Sequence, residues 1–221
     1  MTTEALPPSL AANPRLGDWV HIRSNGIVEI RSGKVELGQG VLTALAQIAA
    51  EELDIDVARV EMTATTTELS PDEGLTAGSL SIQHSGAALR QVCAEVRDIY
   101  IGIAADKLAV PREELTIDDG QITTAGAAAT SYWELANDTL LDRAASGAIA
   151  PKPVSDYRVV GTSAARLDLP DKLIGRPRYV HDMTLDGMVY GRVIRPPSRG
   201  ATLRGIDTGA TEQLPGVIAV V

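Results

Sequence analysis

Phenylalanine is absent from this chain of 221 residues, and aromatic residues of all kinds make up only 3% of it. Most domains fill part of their core with phenylalanine, because a buried aromatic ring removes a large apolar area from water. Either leucine, isoleucine, valine and alanine build the core here, or the chain belongs to a larger body that completes it. The hydrophobic fraction of 44% is enough for a core, so the chain is not globally disordered.

The balance of charges and the scarcity of metal ligands exclude several functions. The chain has 20 basic and 29 acidic residues, a formal net charge of −9, which argues against binding nucleic acid or an anionic membrane surface. A single cysteine excludes an intramolecular disulfide, and the scattered His21, His84 and His181 do not predict a zinc site. Neither a secretory signal nor a membrane span is evident, so we expect a cytoplasmic chain.

Apolar periodicity predicts short strands that alternate with two amphipathic helices. The predicted strands are residues 19–23, 27–31, 57–65, 115–117 and 121–123, and the predicted helices begin near Leu42 and run from about Ser81 to about Leu108. Turns at Gly26 and Gly120 join two pairs of these strands. The pattern predicts an α+β fold, in which two packed helices lie on a mixed sheet of four or five strands, with Glu51 and Glu52 on the polar side of the first helix.

Changes in composition divide the chain into four segments. Residues 1–18 form an N-terminal arm, 19–145 the helix-containing domain, 146–156 a linker, and 157–221 a part rich in proline, glycine and short β segments. Those β segments are predicted at 157–160, 189–194 and 217–221. Because the last one is an apolar strand with no closing turn, we expect the chain to be the first part of a longer protein.

Two glycines flank a glutamine, Gly38-Gln39-Gly40, where an extended segment leads into the first helix. Backbone N–H groups at a helix N-terminus attract anions, and glycines let the backbone approach a ligand closely. The amide of Gln39 both donates and accepts hydrogen bonds, which suits the edge of a heterocycle. A tight turn before a helix, with no ligand, explains the same pattern.

A second candidate site lies before the long helix, in Gly78, Ser79, Leu80, Ser81 and Ile82. Successive N–H groups and hydroxyls in such a segment hold a phosphate or a pterin-like ring. Capping of the helix by Ser79 or Ser81 is the alternative interpretation.

No nucleophile and base stand together in the chain, so no catalytic residue and no metal ligand is predicted. Cys93 lies within the long helix among valines, and we expect it to be a buried small hydrophobe. Asp72 and Glu73 are a carboxylate pair on a polar loop, and we expect them to be solvated turn residues.

Larger blocks around the two candidate sites resemble a known family. Residues 35–47, 70–74 and 76–83 are similar to the molybdenum-binding large subunit of the xanthine dehydrogenase/aldehyde oxidase family. The resemblance is greatest to the branch that contains the isoquinoline 1-oxidoreductase beta subunit and the corresponding subunit of nicotinate dehydrogenase. Blocks between residues 157 and 217 resemble the start of that family's α/β hammerhead domain. The implied fold is part of a molybdopterin-binding domain followed by a partial hammerhead domain.

The resemblance implies an activity and a cofactor. The enzymes of this family hydroxylate an aromatic N-heterocycle or an aldehyde with oxygen taken from water. Their cofactor in bacteria is usually molybdopterin cytosine dinucleotide. By position, the resemblance assigns cofactor contacts to Gly38, Gln39 and Gly40 and to the five residues from Gly78 to Ile82. The implied partners are the remainder of the large subunit, a small [2Fe-2S] subunit and a cytochrome electron acceptor.

The chain departs from the family pattern in two respects. The family's Gly-Gly-Phe-Gly cofactor loop has no counterpart, because the chain has no phenylalanine. The family's catalytic glutamate, a general base, lies in a later segment, so no residue here is assigned that role. We therefore expect the chain to be catalytically incomplete alone. The alternative is a non-catalytic assembly or interaction module of the same family, without bound cofactor.

Overall fold

The computed structural model describes residues 5–125, 127–137, 139–177 and 179–221. Backbone contacts divide the chain into two compact units, Met1–Arg176 and Pro177–Val221. Within the described ranges, no helix is both long enough and apolar enough to cross a membrane. The segment predicted to be a linker, 146–156, lies inside the first unit.

The described helices and strands are short, apart from two long helices. The helices are α1 (Pro8–Ala12), α2 (Val41–Leu53), α3 (Ala87–Leu108), α4 (Tyr132–Leu135), α5 (Leu169–Leu173) and α6 (Gly209–Glu212), and a π-helical turn at Ile82–Gly86 precedes α3. The strands are β1 (Val20–Ile22), β2 (Val28–Ile30), β3 (Val60–Met62), β4 (Leu115–Asp118), β5 (Gln121–Thr124) and β6 (Ala127–Ser131). The two predicted amphipathic helices are confirmed as α2 and as the π-helical turn continued by α3.

The three β segments predicted after residue 156 are wrong. Among the described residues beyond β6, short helical turns and irregular backbone are present and no strand is formed. A strand needs a neighbour whose N–H and C=O groups pair with its own, and no described segment pairs with these residues. Apolar side chains such as Val193 and Ile218 are accordingly exposed.

The strands form two separate sheets rather than one. In the first sheet, β1 pairs antiparallel with β2 and β2 pairs parallel with β3, so that Val28 lies opposite both Ile22 and Val60. In the second sheet, β4, β5 and β6 form an antiparallel meander. The mixture of helices and strands is confirmed. The single sheet of four or five strands is wrong, because the residues of a strand do not specify its partner.

Helix α2 connects the parallel strands β2 and β3, because such a pair needs a long crossover rather than a tight turn. Its apolar residues Leu45, Ala46, Ala49 and Leu53 are fully buried, and α2 packs against α3. The glycine-containing turn before α2 and the segment after it are thereby held at opposite ends of a rigid element.

Aliphatic side chains fill the core, and three aromatic residues complete it. Trp19, Tyr100 and Tyr132 are buried, and the two tyrosine rings meet edge to face with their centroids 5.1 Å apart. Trp19 Nε1 donates to the Asn13 carbonyl at 2.9 Å, and Tyr132 Oη donates to the Leu53 carbonyl at 3.0 Å. Trp19 and Tyr132 therefore bury their rings and still satisfy their polar atoms.

A buried carboxylate holds the irregular segment of residues 146–168, hereafter the 146–168 segment, against α2. Glu51 is only 3% exposed, so its predicted place on the polar side of the helix is wrong. Its Oε2 accepts the backbone N–H groups of Arg158, Val159 and Val160 at 2.9, 2.6 and 2.9 Å. An irregular segment has N–H groups that no helix or sheet pairs, and this carboxylate supplies their acceptor.

Two further buried glutamates bind the beginning of the 146–168 segment. Glu95 of α3 accepts the N–H groups of Ser146 and Gly147, both at 2.8 Å. Glu52, also predicted on the polar side, is fully buried instead and accepts the N–H of Lys152 at 3.0 Å. The residues predicted to be a linker are therefore held on α2 and α3.

Replacing Glu51 with alanine removes the acceptor of three N–H groups. We expect Glu51→Ala to lower the free energy of unfolding by about 3 kcal/mol, because each unsatisfied buried donor costs about 1–3 kcal/mol. Urea denaturation followed by tryptophan fluorescence measures this change. Glu113→Ala, at an exposed glutamate, is the control, and equal stability of the two variants would contradict the role of Glu51.

Another buried carboxylate lies in the middle of the first sheet. Glu29 of β2 accepts hydrogen bonds from Arg23 Nη2 at 2.6 Å and from Arg31 Nε at 2.8 Å. Burial disfavours the ionised carboxylate and raises its pKa. The hydrogen bonds from the two arginines outweigh burial and lower the pKa of Glu29 from 4.5 to about 2. The carboxylate therefore stays ionised in the folded protein down to strongly acidic pH.

This lowered pKa predicts a pH dependence of stability. Ionised Glu29 stabilises the folded state above its ordinary pKa of 4.5, and this contribution is lost as the pH falls towards about 2. At neutral pH we expect wild type to be more stable than Glu29→Gln by on the order of 2 kcal/mol, and this gap to shrink with acid. Acid titration of both proteins measures the gap, with Glu113→Gln as control. A gap that stays constant down to the folded-state pKa would contradict the prediction.

Candidate functional site

The first candidate loop, Gly38 to Gly40, leads directly into α2. Both glycines have left-handed backbone angles, with φ of 105° at Gly38 and 82° at Gly40, a region that favours glycine. A Cβ at Gly38 would meet no atom within 4 Å, so this part of the loop is open to an approaching group. At Gly40 the Nε of Arg166 lies 3.5 Å from the position that a Cβ would take, so Gly40 is covered by the Arg166 side chain.

The N-terminus of α2 is already filled by a carboxylate of the chain. Glu36 Oε1 accepts the N–H groups of Gly38 and Gly40 at 2.8 and 2.9 Å, and Oε2 accepts that of Leu42 at 3.3 Å. Negative charge is favourable at a helix N-terminus, which explains this arrangement. The N–H groups predicted to receive a ligand anion are therefore engaged within the chain.

The amide of Gln39 shapes the first loop. Its Oε1 accepts the N–H of Leu37 at 2.6 Å, and its Nε2 donates to the Val35 carbonyl at 3.0 Å. The side chain is nevertheless exposed. Because an amide oxygen has two lone pairs and its nitrogen two hydrogens, each end keeps one further hydrogen-bond position.

The second candidate loop, Gly78 to Ile82, is largely exposed at the start of the long helix. Gly78 and Ser79 have consecutive left-handed backbone angles, with φ of 68° and 57°, before the π-helical turn. In the described part of the chain, neither Ser79 nor Ser81 makes a side-chain cap, so the capping interpretation is wrong. Their two hydroxyls have no hydrogen-bond partner among the described residues. π-Helical turns are rare and are frequently found at functional sites.

A buried lysine joins the residues that precede the two candidate loops. Lys34 is only 2% exposed, and its Nζ donates to the carbonyls of Glu73 and Leu75 at 2.7 and 3.1 Å. The N–H of Val35 donates to Thr76 Oγ1 at 2.9 Å. These bonds join residues 34–35 to residues 73–76, so the segments that lead into the two loops are held to each other.

Glu73 is the second anchor between the loops, and sequence reasoning missed it. Its Oε2 accepts the N–H of Gly33 at 2.8 Å and the hydroxyls of Ser32 and Ser85 at 3.0 and 2.9 Å. Its Oε1 is buried and has no partner among the described residues. The expectation that Glu73 is a solvated turn residue is therefore wrong. No local pattern signals these contacts, because Ser32 lies 41 residues away.

The other reactive side chains form no centre in the described ranges. No group of three or more histidine, cysteine, aspartate or glutamate residues there could hold a metal ion. Cys93 is fully buried in α3, which confirms its predicted role as a small hydrophobe. Burial raises the pKa of its thiol far above the usual value, so Cys93 is not a nucleophile at neutral pH.

Comparison with known proteins gives matches over most of the chain. A family model described as a molybdopterin cofactor-binding domain matches residues 2–160. The chain is 38% identical to a nicotinate dehydrogenase subunit of Pseudomonas putida over 211 residues. That alignment covers 92% of this chain and 18% of the relative.

This chain is also similar to part of a second, longer relative and to part of a longer chain in a solved structure. The isoquinoline 1-oxidoreductase beta subunit of Brevundimonas diminuta is 30% identical over 256 aligned positions, which cover 98% of this chain and 32% of the relative. A reconstituted CO dehydrogenase from Oligotropha carboxidovorans is similar with a TM-score of 0.46 and 30% identity, over 52% of this chain and 15% of that chain. The chain thus spans less than a third of the length of both curated relatives.

Gly33 permits the close approach of the loop that carries Glu73. A Cβ at Gly33 would lie 2.3 Å from the carbonyl oxygen of Pro71. We expect Gly33→Ala to displace this loop and to lower the free energy of unfolding by about 1–3 kcal/mol, the usual cost of overpacking. Thermal unfolding and proteolysis of residues 66–80 measure the two effects.

The matched control for this substitution is Gly205→Ala. A Cβ at Gly205 would meet no atom within 4 Å, and its φ lies outside the left-handed region. We expect this variant to keep the stability and protease resistance of wild type. If Gly33→Ala behaved in the same way, the close approach would have no structural importance.

Proposed function

The chain belongs to the molybdopterin cofactor-binding domain family, and on this premise we propose that it forms the N-terminal, cofactor-contacting part of a molybdenum hydroxylase subunit. The complete subunit hydroxylates an aromatic N-heterocycle or an aldehyde with oxygen derived from water. Two relatives are named for nicotinate and isoquinoline, which supports an N-heterocycle. In this proposal the chain is one part of the catalytic unit and is not catalytically complete alone.

The available hydroxyls of the second candidate loop are the main support for a bound cofactor. Ser79 and Ser81 present hydroxyls that no described residue binds, beside left-handed backbone at Gly78. Hydroxyls and backbone N–H groups at the start of a helix are the donors that hold phosphate oxygens. These donors fit the phosphates of a molybdopterin dinucleotide, and we assign the contact to Gly78, Ser79, Leu80, Ser81 and Ile82.

The first candidate loop fits a different part of the cofactor. Glu36 already accepts the N–H groups at the N-terminus of α2, so these donors are not available to a phosphate. Gly38 remains open, and Gln39 keeps unused hydrogen-bond positions, which suit the uncharged edge of a ring. We therefore assign Gly38, Gln39 and Gly40 to the pterin ring rather than to its phosphates.

Membership of the family supports a more detailed assignment of cofactor, partners and domains. The cofactor is the cytosine dinucleotide form of molybdopterin, and when bound its molybdenum supplies two-electron oxidation chemistry. The partners are the remainder of the large subunit, a small [2Fe-2S] subunit and a cytochrome electron acceptor. The assembled enzyme is located in the cytoplasm. After the arm at 1–18, residues 19–145 form part of the molybdopterin-binding domain, and residues 157–221 begin an α/β hammerhead domain after the 146–156 connection. No described residue is assigned the role of general base.

A second candidate function is a non-catalytic assembly or interaction module of the same family that holds no cofactor. One observation favours it: the N–H groups of Gly38 and Gly40 bind the Glu36 carboxylate of the chain itself. A loop completed in this way keeps its shape with no ligand bound. Direct measurement of bound metal separates the two candidates.

Retained molybdenum tests the assignment of the second loop. The chain is purified in complex with its partner subunits, its molybdenum is measured by mass spectrometry, and the nucleotide released by acid is identified. In wild type we expect cytosine nucleotide in proportion to molybdenum. We expect the double variant Ser79→Ala/Ser81→Ala to retain at least roughly tenfold less of both, because even one hydrogen bond to a charged group contributes about 1.5–3 kcal/mol.

The control is the double variant Ser163→Ala/Ser198→Ala, at two exposed serines outside both loops. Equal retention in the two double variants would contradict the assignment of the second loop. A wild-type chain that holds no molybdenum when every partner is co-expressed would overturn the enzyme proposal in favour of the assembly module.

A further inference from the structure

We propose that Glu36 is the positioning residue of the first candidate loop and that Arg166 holds Glu36 in place. The Glu36 carboxylate accepts the N–H groups of Gly38, Gly40 and Leu42. Its side chain is 9% exposed, so water competes little for these bonds. The conformation of the loop is thus set by a residue of the chain and not by a ligand.

Arg166 reaches the loop from the 146–168 segment. Its Nη1 donates to the Gly38 carbonyl at 3.0 Å, and its Nη2 lies 3.6 Å from Glu36 Oε1. The same guanidinium covers the open side of Gly40. One cation therefore contacts both the loop backbone and the carboxylate that binds the loop's N–H groups.

Asp168 orients Arg166 from outside the loop. Its buried carboxylate accepts from Arg166 Nε at 3.0 Å and from Nη2 at 2.7 Å, a bidentate pair, and Lys172 pairs with the same carboxylate. The N–H of Leu167 donates to Thr43 Oγ1 on α2 at 3.0 Å. The position of the guanidinium is therefore fixed by groups that are independent of any ligand.

This arrangement leaves the first loop little conformational freedom to lose when a ligand binds. A site that is already in its bound conformation avoids the entropy cost of ordering a loop. Glu36 holds the loop whether or not a cofactor is bound. A contact between the held loop and a pterin ring rests on the proposed function.

Amide hydrogen exchange in the full chain tests the role of Glu36. We expect Glu36→Gln to speed the exchange of the Gly38 and Gly40 amides at least about tenfold, the factor that corresponds to loss of a charged hydrogen bond. Glu36→Asp keeps the carboxylate and should restore part of the protection. Glu68→Gln, at an exposed glutamate, is the control, and the amides of β2 report global stability.

Arg166→Gln provides an independent test. We expect it to speed exchange of the same two amides about threefold, the scale of a partly exposed ion pair, whereas Arg204→Gln at an exposed arginine changes nothing. Because the two residues act as a unit, adding Arg166→Gln to Glu36→Gln should give less than the product of their separate effects. Unchanged exchange in both single variants, with β2 still protected, would overturn the proposal. If Glu36→Gln does not fold, Arg166→Gln alone tests the proposal: faster exchange of the Gly38 and Gly40 amides supports it, and unchanged exchange overturns it.

Molybdenum retention in the complex separates this inference from the proposed function. A several-fold loss in Glu36→Gln, with none in Glu68→Gln, supports a role of the held loop in binding the cofactor. A wild-type complex without molybdenum, together with the expected exchange rates, would refute the proposed function and leave the positioning role of Glu36 standing.

Discussion

Backbone N–H groups in the irregular parts of the first unit need acceptors, and glutamate carboxylates supply them. Glu36 binds those at the start of α2, Glu51 and Glu95 bind those of the 146–168 segment, and Glu73 binds that of Gly33. An unpaired donor or charge is costly when buried, whereas a carboxylate hydrogen-bonded to several donors satisfies both partners. Segments without helix or strand are thereby bound to the rest of the unit, and part of the chain's acidic excess is directed inwards.

These carboxylates also decide what the two candidate loops can offer a ligand. At the first loop, Glu36 takes up the N–H groups, so these donors are not available to an anion. At the second loop, the hydroxyls of Ser79 and Ser81 remain available beside left-handed backbone. Lys34 and Glu73 tie the approaches to both loops together. In the proposed function, the two loops bind the ring and the phosphates of one dinucleotide.

Much of the local structure was predictable, because it depends on neighbours within a few residues. The apolar spacing in α2 and α3 repeats at the helical period, and the turn between β4 and β5 follows from Asp119 and Gly120, whose φ angles are 47° and 75°. The burial of Glu51 and the contacts of Glu73 were not predictable. Both look like ordinary surface glutamates, and their partners include Val159 and Gly33, which lie 108 and 40 residues away.

Residue order alone located the long helices, the hairpin turn, both candidate loops and the family resemblance. It also indicated why the loops suit a ligand, since glycines and hydroxyls before a helix favour close approach and hydrogen bonding. Which of those donors are still available was decided by folding: Glu36 and Arg166 engage the first loop, while Ser79 and Ser81 keep their hydroxyls unpartnered among the described residues. The acceptor Glu36 lies only 2 to 6 residues from its donors, but Arg166 lies 128 residues from the Gly38 carbonyl that it binds. Only the folded backbone brings that guanidinium to the loop.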